Sequence, residues 1–493
     1  MSNLTNPTEP SASPHERFRD QPVLVLLTSH WISLLGLGLI VTALITWLFV
    51  LPLQMRGHVD NPYIGILAFL IIPLIFFAGL ALVPFGIFLA KRRVRARLAM
   101  EIVDQRAALH RLAIFLLVTA LVNILVGTQL TYRAVDYMET PTFCGQSCHI
   151  MLPEFTGHLQ GAHSRVACVD CHVAPGATGW VESKAAGTRQ LVEVILGTSP
   201  HPVPSALESN RLVPARETCE QCHDPELFGS IRVRVIPSFG DDEANTPSYT
   251  VLNMLIGGRV LPGIHGAHVG KGIEIRYAAN DETRQTIPRV EYHNARTGET
   301  RTFLATGTSA AQTAGLPVHT MQCVDCHNRP THAFDLPERA VDRALATGAL
   351  PDTLPFIRKQ SVEILKAGYP TPAAAAQKIP AALSDYYRQT YPEVFAARSA
   401  DIAAAGQGVL ALYNRNVFPD LKVTWGTYPN NLGHTDFPGC FRCHDGSHPT
   451  ADGQQTITQD CTTCHVPLAL SETSPEVLKT LGVEARIEAL RKP

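Results

Sequence analysis

Three long apolar runs dominate the start of the 493-residue chain, and nothing comparable follows them. They cover about Trp31–Leu53, Ile64–Leu89 and Leu112–Leu130, and none contains Asp, Glu, Lys or Arg. Each is roughly 19–26 residues long, enough for a helix to cross a hydrocarbon core of about 30 Å. The first run is too long for the apolar part of a signal peptide and has no small-residue cleavage site, so it reads as an uncleaved anchor. Pro73 and Pro84 in the second are compatible with a packed membrane helix. Residues 1–22, rich in Ser, Thr and Pro, read as a disordered tail, and residues 23–135 as a three-helix membrane anchor.

The loops give the orientation. Between Lys91 and Arg111 the chain carries seven Lys/Arg against two acidic residues, whereas the connection between the first two runs has only Arg56 and Asp60. The positive-inside rule places the basic loop in the cytoplasm and everything after about Tyr132 on the opposite, periplasmic side. His30, His58 and His110 fall at span ends or in loops, which argues against a haem or ion path inside the bilayer.

Beyond the anchor the pattern becomes polar and Pro-rich. Residues 224–318 alternate in IRVRVIPSF and IEIRYAAN, and RVEYHNARTGETRTFLAT predicts a hairpin with its turn near Gly298. This region is expected to be a β-rich insertion between a haem region at 136–223 and a C-terminal haem region at 319–493. Helical spacing with Pro at the entries predicts helices over Pro337–Thr347, Pro355–Ala367, Pro372–Thr390 and Ala400–Tyr413, and a last amphipathic helix from about Ser474. The formal charge of −2 gives no reason to expect a nucleic-acid partner.

All twelve cysteines lie in haem-attachment motifs. Five read C-x-x-C-H: Cys168/Cys171/His172, Cys219/Cys222/His223, Cys323/Cys326/His327, Cys440/Cys443/His444 and Cys461/Cys464/His465. The first in the chain, Cys144/Cys148/His149, has one extra residue between its thiols. Two thiols tether a haem through thioethers and the adjoining His reaches the iron. Zinc ribbons do not require a His after every second Cys, and disulfides do not favour such short pairs. The chain is therefore expected to bind six covalent haem c groups, and to fold only as they are attached. The expected fold is a membrane-anchored multihaem cytochrome with three N-terminal transmembrane helices. A loop-rich, mostly α periplasmic six-haem domain with the small β-rich insertion follows them.

The second ligand of each iron decides between electron carriage and substrate binding. His332 and His448 follow their motifs closely, and His163 and His434 shortly precede theirs, so all four are expected to be distal ligands. In the Gly-rich GIHGAHVG, both His265 and His268 invite a ligand role, His268 the more strongly. His158, His201, His293 and His319 have no such context.

The segment YMETPTFCGQSCHIMLPEF, with a His before ACVDCHVAPG, resembles the NapC/NirT (NrfH-like) quinol dehydrogenases. CVDCHNRPTH and CFRCHDGSH look like the larger ImcH-like inner-membrane members found in metal-respiring bacteria. The resemblance implies that Met151 is a ligand or near-ligand of the first haem, and that Lys184 with an acid, Glu193 or Glu182, serves a quinol site. It also implies a quinol donor in the inner membrane and a periplasmic cytochrome or reductase as acceptor. This chain departs from the smaller members in having three spans, six motifs and the longer first motif. The expected activity is quinol oxidation with electron delivery to a periplasmic partner. The alternatives are a wiring subunit without its own quinol site and a terminal reductase; the latter is disfavoured because every motif ends in His.

Overall fold

The computed structural model describes residues 23–28, 30–55, 71–96, 105–147, 149–205, 213–223, 231–258 and 263–482. The expected tail, the start of the second span and the chain past Gly482 lie outside the described residues. Contacts divide the chain into two compact units, one of residues 1–138 and 177–197 and one of residues 139–176 and 198–493.

The first unit contains α1 (Val23–Thr28), α2 (Trp31–Met55), α3 (Ile72–Ala96), α4 (Gln105–Met138) and α6 (Gly176–Ile195). Windows at Trp31–Leu48, Ile72–Arg92 and Arg106–Gln129 are long and apolar enough to cross a membrane. Their outer faces carry large apolar side chains such as Leu48, Leu74 and Leu117, as a lipid-facing surface requires. Small residues bring α2 and α3 together. A Cβ on Gly36 would stand 2.8 Å from the Gly79 carbonyl oxygen, one on Gly79 would stand 2.7 Å from that of Gly36, and Gly86 lies against Ser33. Without a hydrophobic driving force between helices in lipid, such close backbone approach supplies the packing energy. At 34 residues α4 is about 51 Å long, well beyond the hydrocarbon thickness. The sequence grouped residues 177–197 with the first haem region, but α6 belongs to the compact unit of the membrane helices.

The second unit contains the six motifs. Its short α5 (Leu152–Leu159) follows the first of them, and α7 (Ile264–Val269) carries His265 and His268. One antiparallel sheet has the order β1 (Ile231–Phe239), β2 (Pro247–Leu255), β7 (His465–Glu472). The other has the order β5 (Glu299–Leu304), β4 (Arg289–Asn294), β3 (Ile273–Ala278), β6 (Val318–Thr320). Gly298, with φ of +73°, turns the β4–β5 hairpin, a conformation glycine adopts without steric cost. The β-rich stretch is not a self-contained insertion: β7 comes from the C-terminal haem region and pairs with β2. Phe239 at the end of β1 joins a helical core formed by α8 (Pro337–Ala346), α9 (Ile357–Lys366), α10 (Pro372–Thr390) and α11 (Pro392–Asn416). Leu345, Ile357, Leu365, Ile379, Leu383 and Tyr387 are wholly buried there. Asn245, in the left-handed region at φ of +48°, pins the β1–β2 turn to that core. Its amide donates to the carbonyls of Asp352 (2.9 Å) and Leu354 (2.8 Å), and its Oδ1 accepts from Arg358 N (3.0 Å).

Candidate haem-binding sites

The motifs are single tight turns. Motif two is the helical turn Val169–His172, motif four Cys323–Cys326, and motifs three, five and six include the 3-10 turns Cys219–Gln221, Gly439–Arg442 and Cys461–Thr463. In motifs two to five the amide of the His donates to the carbonyl of the first Cys, at 3.0, 2.8, 2.8 and 3.0 Å. That bond closes one turn, which puts both thiols and the imidazole on one side of the backbone. The described cysteines are free of disulfides. In motif one, Phe143–Ser147 forms a wider π turn and His149–Met151 a 3-10 turn, which takes up the extra residue. Cys148 and the His149 side chain lie outside the described residues, and Met151 caps the start of α5 half-buried.

Each of the other five motif histidines faces a second imidazole. The ring centres are separated by 6.2 Å for His172–His332, 5.9 Å for His223–His163, 6.3 Å for His327–His265, 5.7 Å for His444–His268 and 6.1 Å for His465–His434. Metal–imidazole bonds of about 2 Å on each side of an iron put two trans ring centres roughly 6 Å apart. The residues therefore fit haem iron. Among the described residues no cluster of three or more His, Cys, Asp or Glu is arranged for a bare metal ion.

The hydrogen bonds select the right nitrogen. Nδ1 of His332 meets the Glu154 carbonyl at 2.8 Å, that of His163 meets Pro330 at 3.3 Å, that of His268 meets Ile264 at 2.7 Å and that of His444 meets Thr458 at 2.7 Å. A carbonyl only accepts, so each Nδ1 carries the proton and Nε2 keeps its lone pair for a metal. Burial holds His268 and His265 below the usual imidazole range and pushes His332 down to about 4, which favours the neutral form a ligand needs. Phe441 stacks on the His434 ring with centres 4.2 Å apart and limits its rotation.

His448 is held by protein groups at both ring nitrogens. It is 2% exposed, its Nε2 bonds the Ile287 carbonyl at 2.8 Å, and its Nδ1 lies 3.2 Å from Asp445 Oδ1. With both nitrogens engaged it is a structural tie between the loop after motif five and the segment before β4, not the expected distal ligand. His265 stands opposite His327. His158, which the sequence left unassigned, is buried with Nδ1 3.0 Å from Thr331 Oγ1, its ring 6.3 Å from that of His332 and its Nε2 without a partner. Close packing of α5 makes this possible: a Cβ on Gly157 would stand 3.3 Å from His332 Cα.

Neighbouring motifs adjoin one another. The Cys168 thiol hydrogen-bonds Cys144, Cys171 senses Cys219 and Cys222, and His327 senses His223. Cys326 and Cys443 interact with each other and with Cys440, which in turn acts on Cys464. Each motif thus lies near the next in chain order.

Lys184 and Glu193 lie on α6. Lys184 Nζ stands 5.4 Å from the Trp180 ring centre, and Glu193 pairs with Arg189 at 3.6 Å on an exposed face. Nine residues at 3.6 per turn separate them by about 180°, and Glu182 also projects away from Lys184, so the helix does not bring either acid to the lysine.

Membrane-length apolar helices, together with a polar unit that carries repeated C-x-x-C-H turns, define a membrane-anchored multihaem c-type cytochrome, an electron-transfer protein. Residues 106–229 match the model of the NapC/NirT cytochrome c family, N-terminal region. Over 444 residues the chain is 37% identical to the cytochrome c-type protein ImcH of Geobacter sulfurreducens, an alignment that covers 88% of this chain and 87% of that protein. No solved structure matches the chain. The chain belongs to the NapC/NirT cytochrome c family, as an ImcH-like member.

Proposed function

We propose that this protein oxidises quinol at the inner membrane and passes the electrons through six haem c groups to a periplasmic cytochrome or reductase. Haem supplies reversible one-electron chemistry when bound; the chain supplies ligands, spacing and burial. The observation that carries the reading is the set of five imidazole pairs at the spacing an iron held between two imidazoles would need, on motifs that adjoin one another in chain order. His332, His163, His265, His268 and His434 would complete the irons of motifs two to six in that order. Two imidazoles per iron would leave no position for a substrate there, which disfavours a terminal reductase. Motif one would be the entry, because it follows α4 directly in the chain and has Met151 beside it. The positive-inside count supports a periplasmic location for all six motifs.

Quinol gives up two electrons and two protons, so an entry site needs a proton acceptor as well as a haem. Lys184 is the proposed quinol-site residue, with Glu193 as the acid the family resemblance implies. Their placement on opposite faces of α6 favours a second reading, a wiring subunit whose electrons come from a separate membrane protein. The purified holoprotein decides between them. Direct reduction by a menaquinol analogue, slowed in Lys184→Ala while dithionite reduction stays intact, is the expected result. A protein that a menaquinol analogue reduces only when a second membrane subunit is added would establish the wiring reading instead.

A further inference from the structure

The residues between the two cysteines of a haem motif need only complete a turn, yet Asp325 in motif four and Arg442 in motif five are tied into one network. Asp325 is 2% exposed. Its Oδ1 accepts from the Tyr277 hydroxyl and from Arg284 Nη1 (3.1 Å), and its Oδ2 accepts from Gln322 N (2.7 Å). The carboxylate is thus neutralised by buried Arg284. That arginine sits at φ of +56° in a loop tied by Asp281, whose carboxylate accepts from Gln285 N (2.9 Å) and Thr286 N (2.7 Å).

Arg442 differs. Its three hydrogen bonds all go to backbone carbonyls: Nε to Gly439 (2.9 Å), Nη1 to Arg284 (2.9 Å) and Nη2 to Asp325 (2.7 Å). Asn431, 1% exposed, reinforces the junction by donating to the same Asp325 carbonyl at 3.0 Å. One planar guanidinium therefore joins motif five, the Arg284 loop and motif four, and these bonds leave its charge without a carboxylate. Arg442 and Asp325 each stand directly before the second cysteine of their motif, so the bond between them sets the guanidinium at the junction of the two.

We propose that Arg442 is a positioning residue that bolts motifs four and five together and holds a fixed positive charge beside the two haems they carry. The inference rests on those motifs binding haem c and not on quinol being the donor. A ferrous haem carries one positive charge less than a ferric haem, so a nearby cation stabilises the reduced form and raises the potential.

The test is a redox titration of purified holoprotein, poised chemically and followed by visible absorbance and EPR, with haem content counted by pyridine haemochromogen. In Arg442→Gln two of the six haems should show about a tenfold lower reduced-to-oxidised ratio at a given ambient potential, or about 59 mV for a one-electron couple. Arg442→Lys keeps the charge but loses the three-way fork, so potentials should hold while the EPR signals of the same two haems change. Arg442→Gln with six haems and a wild-type titration overturns the proposal. If Arg442→Gln fails to assemble, Arg442→Lys decides: a wild-type EPR spectrum in that protein also overturns it. Because no quinol is used, failure here is distinguishable from failure of the quinol reading.

Discussion

A histidine can serve an iron only if the nitrogen facing it still has a lone pair, and by that condition His265 suits an iron better than His448, the reverse of their order by sequence context. His448 lies four residues after its motif His, but the intervening turn folds it onto the Ile287 carbonyl, and Asp445 takes its other nitrogen. His265 is distant in sequence from any motif, yet α7 sets it opposite His327. Nearness to a motif singled out His163, His332 and His434, but each faces the His of a different motif: His223, His172 and His465. It could not reveal a pairing made by tertiary folding. His448→Leu should leave the haem spin states unchanged and lose about 1–3 kcal/mol of stability, since a buried carbonyl loses its donor. EPR and thermal unfolding measure both, and the appearance of a high-spin haem would contradict the assignment. His265→Ala should instead convert one haem to a high-spin signal.

Elements were legible where one local period governs them. Pro372–Thr390 matches its apolar spacing and Pro entry to the residue. The sequence placed the next helix at Ala400–Tyr413, but α11 begins at Pro392 and bends at Arg398. There the guanidinium bonds Thr353 O (3.1 Å), Thr353 Oγ1 (2.9 Å) and Asp401 (2.9 Å), and the bend breaks the apolar phase. The partnership of β2 with β7 is a contact between segments some two hundred residues apart, which no local pattern encodes. In the membrane helices, length and polarity were plain, but the α2–α3 seam depends on which glycines meet. Gly36→Leu would drive a side chain into the Gly79 backbone, where neither helix can yield without separating. The expected outcome is a loss of about 1–3 kcal/mol, the usual cost of overpacking, seen as a lower midpoint in detergent with haem content unchanged. An unaltered midpoint would show that the seam opens without cost.

For the whole molecule, the decisive property is that each haem motif adjoins the next, from Cys144–Cys168 through His223–His327 to Cys440–Cys464. The facing histidines cross these junctions: His332, from beyond motif four, faces the His of motif two, and His268, from before motif four, faces that of motif five. Such interlacing couples the assembly of neighbouring sites, so each ligand fixes the position of more than one motif. A linear order and a branched one make opposite predictions when a middle group is removed. Cys323→Ala/Cys326→Ala should abolish covalent haem attachment at motif four. In a linear order a quinol analogue should then reduce the first three haems at the normal rate while the last two lag. Dithionite, which reaches each haem from solution, should reduce all five together. Cys461→Ala/Cys464→Ala removes the last haem and should leave quinol reduction of the other five unchanged, with transfer to an external acceptor slowed. Stopped-flow absorbance with EPR of samples frozen during reduction separates the two groups of haems. Uniform reduction of all five after loss of the fourth would mean that electrons reach the far end by a second route, and the linear order would have to be abandoned.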